Sequence, residues 1–186
     1  MKKNICVFGG SVSGKNIENK ETAEIVGKIV ACSNFNLVFG GGENGIMGAV
    51  AQSAINYGAS TTGIIPSFLL QKDLLHSGQS KKFNTELVRT ETMHQRKKMM
   101  YDKSDGFLVL PGGIGTLDEC FEVLTWCQLN QIKNKNVGII NFKGYWDPLI
   151  NLINHIIKEE FMGMNNLNYF EEIKNLHMLN IFLKNI

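Results

Sequence analysis

The chain reads as an α/β protein: one Rossmann-like domain whose parallel sheet is flanked by helices on both faces. Two observations predict this class. Apolar runs of strand length alternate with segments of helical period. Glycine-rich loops follow three of those runs, at the strand ends where α/β sheets bind ligands. With 186 residues, 44% of them hydrophobic, the chain can bury one substantial core and needs no second domain, so residues 1–186 are expected to form a single unit.

The elements follow in order. A first strand is expected near 4–8, where Ile5-Cys6-Val7-Phe8 runs apolar up to Gly9. A helix near 17–33 leads to a strand near 36–39, and past Gly40-Gly41-Gly42 a second helix is expected near 45–57. Strands near 60–65 and 84–88 come next. Thr92 and Gln95 have capping-box spacing, which starts a helix within 91–103. The strand near 106–110 ends in Pro111-Gly112-Gly113, ahead of a helix at 117–130. A strand near 136–141 and a helix near 146–161 complete the alternation. The Asn-rich stretch Met164 to Tyr169 reads as a turn, with further helix from Tyr169 onward.

Composition excludes several classes. Net charge is +2 and the basic residues are dispersed apart from Lys81-Lys82 and Arg96-Lys97-Lys98, so a nucleic-acid-binding surface is not expected. The amino-terminal apolar run is too short for a signal peptide, and no stretch has the length of a membrane span. Cys6, Cys32, Cys120 and Cys127 lack metal-ligand or redox spacing, and the histidines are scattered, so no metal site is expected and free thiols in a cytoplasmic protein account for the cysteines.

Leu108 to Glu119 carries the most information. An apolar strand pattern ends in Pro111-Gly112-Gly113-Ile114-Gly115-Thr116, whose glycines let backbone N–H groups converge at the positive end of a helix. That arrangement suits a phosphate. Thr116 and Glu119 also have the T-x-x-E spacing of a capping box, so Glu119 is open to two readings, helix cap or chemistry. Gly9 to Gly14 and Gly40 to Gly45 form two further loops at strand ends, and together the three outline a nucleotide-sized crevice. Each alone is an ordinary βα turn. A dehydrogenase is disfavoured because no acidic residue clearly closes the second strand, and the G-x-x-x-x-G-K-[ST] phosphate loop is absent. In the helix after Thr92, Met93, Arg96 and Met100 share a face. Arg96 either snorkels from a core stripe or reaches the crevice to hold an anionic group.

Two long motifs in this order, Met93-His94-x-Arg96-Lys97-x-x-Met100 and Pro111-Gly112-Gly113-x-Gly115-Thr116-x-x-Glu119, resemble those of the Lonely Guy (LOG) family of cytokinin riboside 5′-monophosphate phosphoribohydrolases, often mislabelled lysine decarboxylases. The resemblance runs from Val7 to about Phe161 and takes in Gly40-Gly41-Gly42-x-x-Gly45-x-Met47-Gly48, Thr125-Trp126-x-Gln128-Leu129 and Tyr145-Trp146-Asp147-Pro148-Leu149. It implies Arg96 and Glu119 as the catalytic pair, and Gly112, Gly113, Gly115 and Thr116 on the 5′-phosphate. Gly10, Ser11, Gly41 and Gly42 would line the same crevice, with Met93 and Lys97 beside the base and the ribose phosphate. It further implies a homodimer whose partner completes each site. Asn130, Ile132 and Asn136 depart from the family pattern, and Gln71 to Asn84 is a slightly long, Lys-rich segment on the base side.

The implied reaction is hydrolysis of a purine nucleoside 5′-monophosphate to free base and ribose 5-phosphate, with no cofactor. A pyridoxal-phosphate decarboxylase is disfavoured because neither Lys97 nor Lys103 stands in a Schiff-base context. Two alternatives stay open: a nucleotide- or cofactor-carrier module without turnover, and a deoxyribosyltransferase-like enzyme passing the sugar to a second base.

Overall fold

A computed structural model describes residues 2–69, 85–129, 131, 135–162 and 170–186. Expectations for Asn130, Ile132, Gln71 to Asn84 and Met164 to Tyr169 fall outside the described residues.

Among the described residues seven parallel strands form one sheet: β1 (Asn4–Phe8), β2 (Asn36–Phe39), β3 (Thr61–Pro66), β4 (Glu86–Thr90), β5 (Gly106–Val109), β6 (Asn136–Ile140) and β7 (Glu171–Ile173). Their spatial order is β4-β3-β2-β1-β5-β6-β7. The chain winds outward from β1 in one direction, then returns to its other side at β5. In the register Ile5 lies opposite both Leu37 and Gly106, so the loops after β1, β2 and β5 emerge side by side at the switch in strand order.

Alternation along the central strands builds two cores, one on each face. Ile5, Val7, Leu37, Phe39 and Leu108 face one way. They meet Val26 and Val30 of α1 (Glu18–Cys32), Ile46 and Val50 of α2 (Gly45–Asn56), and Leu179 and Phe182 of the last helix. Cys6, Phe8, Val38, Phe107 and Val109 face the other way. There they meet Met100 and Tyr101 of α3 (Met93–Asp102), Cys120 and Val123 of α4 (Ile114–Gln128), and Leu149 and Ile153 of α5 (Asp147–Lys158). No helix among the described residues is long and apolar enough to cross a membrane.

The expected class and the order of its elements hold, and three local differences have physical causes. Helix α4 begins at Ile114, three residues before the expected start, because Gly113 is extended and acts as its N-cap. The tail, expected as helix, first adds β7 to the sheet edge, pairing Glu171 with Gly138 and Ile173 with Ile140 before α6 (Leu176–Lys184) starts at Asn175, whose side chain accepts from Met178 N. The expected strand at 84–88 lies at Glu86–Thr90, where it pairs with β3.

Helices α1 and α2 pack with their backbones nearly touching at Gly27. A Cβ there would overlap the Val50 carbonyl oxygen and lie 2.9 Å from Ser53 Cβ, while Ser53 Oγ donates to the Glu24 carbonyl at 2.5 Å. Gly27→Ala must therefore push two helices apart. It is expected to lower unfolding free energy by about 1–3 kcal/mol, measured by urea denaturation.

Candidate active site

Three loops meet at the carboxyl end of the sheet. Gly10 N donates to the Pro111 carbonyl at 3.0 Å, and Gly10 O accepts from Ile46 N at 2.9 Å and Met47 N at 3.2 Å, tying the β1 loop to both neighbours. Gly41 has φ +77°, a left-handed turn that glycine alone adopts cheaply. At Gly112 the reason for glycine is space: a Cβ would overlap Thr116 Oγ1 and come within 2.8 Å of Gly10 N. The result is a cavity of ≈ 200 Å³ lined by residues that include Gly10, Ser13, Pro111, Gly112, Gly113 and Tyr145.

The amino terminus of α4 opens beside this cavity. Among the described residues no side chain caps the helix and a Cβ at Gly113 or Gly115 would meet nothing within 4 Å, and both glycines are exposed. The first amides of a helix have no intrahelical partner, so this end offers donors and the positive end of the helix dipole to an anion. Tyr145 Oη donates to the Gly112 carbonyl at 2.7 Å and braces the loop from the β6 side.

Glu119 lies five residues beyond Ile114, about 7.5 Å along the helix axis, with its side chain tilted back toward the amino terminus. As the sixth helical residue it is no cap, and Thr116 is the third, so the capping-box alternative drops out. Glu119 is 5% exposed and its Oε1 is 3.1 Å from Arg96 Nη1. Arg96 is 7% exposed and therefore does not snorkel. Its Nε donates to the Ile64 carbonyl of β3, at 3.1 Å. The helix that carries it starts as expected: Thr92 Oγ1 accepts from Gln95 N and Gln95 Oε1 accepts from Glu91 N.

Burial is the largest influence on Glu119 and pushes its carboxyl up to about 7; Arg96 and Lys97 oppose that rise, while Asp118 and Glu122 add to it. A carboxyl poised there can exchange a proton near neutral pH.

Lys97 is also buried, and its Nζ is 3.0 Å from Asp118 and 2.5 Å from Glu122. Burial alone lowers its pKa, but hydrogen bonds to Glu122 and Asp118 outweigh that and hold the ammonium above its ordinary value. Tyr101 Oη donates to the same Glu122 at 3.0 Å, so α3 and α4 are joined by two adjacent sets of polar contacts. Glu122 escaped the sequence reading. Its signal is the pair Asp118 and Glu122, like charges at i, i+4 that repel on an isolated helix and call for a cation between them.

Of the residues proposed from sequence, Gly10, Gly112 and Gly113 line one cavity; Gly115 and Thr116 belong to the first turn of α4, Gly115 exposed and Thr116 buried beneath Gly112. Arg96 and Glu119 touch each other. Exposed Ser11 belongs to the β1 loop, where its backbone is crowded by Gly45, and Gly41 and Gly42 follow β2. Met93 is half-buried at the start of α3, outside the lining of the cavity, as is Lys97. Among the described residues no group of three or more His, Cys, Asp or Glu is placed to hold a metal.

These features define a class: a Rossmann-like α/β protein with an open helix terminus for an anion and a buried carboxyl–guanidinium pair just beyond it. Comparison with known proteins narrows the class. Residues 47–180 match the family model described as "Possible lysine decarboxylase". The chain is 39% identical over 161 residues to cytokinin riboside 5′-monophosphate phosphoribohydrolase LOG1 of Arabidopsis thaliana, covering 87% of this chain and 73% of that one. It is 38% identical over 161 residues to the cytokinin riboside 5′-monophosphate phosphoribohydrolase of Rhodococcoides fascians, covering 86% and 78%. The chain belongs to this LOG family. The fold is shared more widely: the molybdenum cofactor binding protein of Rippkaea orientalis superposes with a TM-score of 0.69 at 19% identity, over 99% of this chain and 96% of that one.

The raised carboxyl has a stability signature. Above pH 4.5 the unfolded chain has released the Glu119 proton, whereas the folded chain keeps it up to about 7. The stability of the wild type relative to Glu119→Gln is expected to fall as pH rises between those values, by at most about 1.4 kcal/mol per pH unit, and to level off above them. Denaturation curves of both proteins from pH 4 to about 8 check it.

Proposed function

We propose that the chain hydrolyses the N-glycosidic bond of purine nucleoside 5′-monophosphates, AMP or its N6-modified cytokinin-type forms, releasing free base and ribose 5-phosphate. The observation that carries this reading is the buried Arg96–Glu119 pair, 3.1 Å apart, just beyond a helix terminus open to an anion. The 5′-phosphate binds at the α4 amino terminus, on the amides of Gly113, Gly115 and Thr116, in the cavity beside Gly10 and Gly112. This contact supplies binding energy remote from the reacting bond and positions the anomeric carbon toward Glu119.

The bond from C1′ to the base nitrogen breaks with its electron pair leaving on the base, and positive charge develops on the ribose. The Glu119 carboxylate stabilises that charge and accepts a proton from the water whose oxygen bonds to C1′. The proton then passes to the departing base. Arg96 opposes the protonation that burial favours and orients Glu119, and offers positive charge to the departing base or the ribose phosphate. Met93 packs beside the base. Lys97, committed to Asp118 and Glu122, acts on the substrate through the field of that cluster.

A homodimer belongs to this proposal. Ile114 and Leu129, at the two ends of α4, are 82% and 61% exposed, and Phe121 between them is exposed as well, an apolar series that a second copy would cover. So does a cytoplasmic setting, supported by four free cysteines, of which Cys6, Cys120 and Cys127 are buried.

Chromatography of products after incubation with AMP, N6-isopentenyl-AMP, CMP and adenosine tests the reaction. Free base is expected from the purine monophosphates, with adenosine slower by at least about a hundredfold because it lacks the phosphate contact. Intact nucleotides throughout would hand the lead to a carrier module.

The pH profile tests the assignment of Glu119. Because the carboxylate is the active form, kcat/KM is expected to rise with pH through an acid limb near about 7 and to level above it. Glu119→Gln is expected to abolish turnover while remaining folded; a variant with wild-type rates would remove Glu119 from the chemistry.

A further inference from the structure

We infer that Gly40 is a positioning residue for Arg96, and that its missing side chain is the seat of the guanidinium. The inference rests on the proposed catalytic role of Arg96. Gly40 directly follows β2 and is buried. A Cβ built on it would overlap Arg96 Nη2 and lie 3.2 Å from Arg96 Cζ and 3.2 Å from Met47 Sδ.

Three separate elements therefore fix the three guanidinium nitrogens. Nε donates to the Ile64 carbonyl on β3, Nη1 faces Glu119 on α4, and Nη2 lies against the Gly40 backbone beyond β2. A planar group held at three corners has one orientation, which a flexible stem alone does not provide.

The next glycine shows why this is a seat and not a turn. Gly41 has φ +77°, so its backbone excludes other residues whatever the surroundings. Gly40 has no such angle: its backbone accepts alanine, and among the described residues the atom that forbids the methyl is Arg96 Nη2, with Met47 at the rim. Methionine yields by changing rotamer. Arg96 cannot retreat without losing both its carbonyl and its carboxylate partner.

A double-mutant cycle of Gly40→Ala and Arg96→Ala tests this with two readouts. In the thermal arm, Gly40→Ala is expected to lower the melting temperature of the wild type but not that of Arg96→Ala, where the methyl fills vacated space on a backbone that accepts it. Should Gly40→Ala fail to fold, recovery of a folded protein in the double variant gives the same answer. An equal drop in both backgrounds, or failure of both to fold, overturns the seat.

In the kinetic arm, Gly40→Ala in the otherwise wild-type protein is expected to cut AMP turnover by about a hundredfold, with KM changed less than about threefold. Its acid limb should move to higher pH, since Glu119 loses the cation that opposes its protonation. Wild-type turnover and an unmoved acid limb in folded Gly40→Ala also overturn the seat. If the wild type itself hydrolyses no nucleotide, the proposed function falls, and the thermal arm still decides whether Gly40 seats Arg96.

Discussion

The ion pair between Arg96 and Glu119 is the contact around which the rest of this molecule is arranged. Each partner is almost fully buried, and taking two charges out of water costs several kcal/mol per ion unless geometry and further hydrogen bonds offset it. The fold meets that demand from three directions. Strand β3 supplies the Ile64 carbonyl, α4 supplies the carboxylate, and the loop just after β2 supplies the bare backbone of Gly40. The neighbouring cluster of Lys97, Asp118, Glu122 and Tyr101 closes the same helix–helix seam with a second set of charges. The opposing effects of burial and Arg96 leave Glu119 poised near neutrality, a condition no isolated glutamate meets.

Much of the fold is legible because the central strands are buried on both faces and read as apolar runs. Ile5 to Phe8 and Phe107 to Val109 have almost no exposed surface, so hydrophobicity alone marks them. The ends of the chain of inference are less legible. β7 is Glu-Glu-Ile, a segment with no strand character of its own, and it becomes a strand because β6 offers it an edge. The start of α4 misleads for a different reason: Thr116 and Glu119 imitate a cap, while the true start depends on the extended backbone of Gly113.

The site divides in the same way. The loop from Pro111 to Thr116 is readable because its glycines cluster just before a helix. Arg96 is readable only as a charge among methionines, since its partners Ile64 and Glu119 come from other elements. Gly10 is a case where position and role part company: its N–H and carbonyl are both spent on neighbouring loops, so it shapes the crevice without offering a ligand either group. Sequence likewise does not separate Gly40 from Gly41, although one glycine answers to space and the other to torsion.

The brace at Tyr145 has an optical consequence. Its hydroxyl holds the Gly112 carbonyl at 2.7 Å, and its ring stands edge-on to Trp146 with centroids 4.7 Å apart. Trp146 is buried and its indole N–H finds no partner among the described residues, whereas the other tryptophan, Trp126, lies half-buried against Tyr101. The two indoles thus stand in different surroundings, and one of them is linked by a single tyrosine to the loop beside the Gly10–Gly112 cavity. A molecule that shifts the Gly112 loop is therefore expected to alter the emission of Trp146, an optical reporter built into the chain itself.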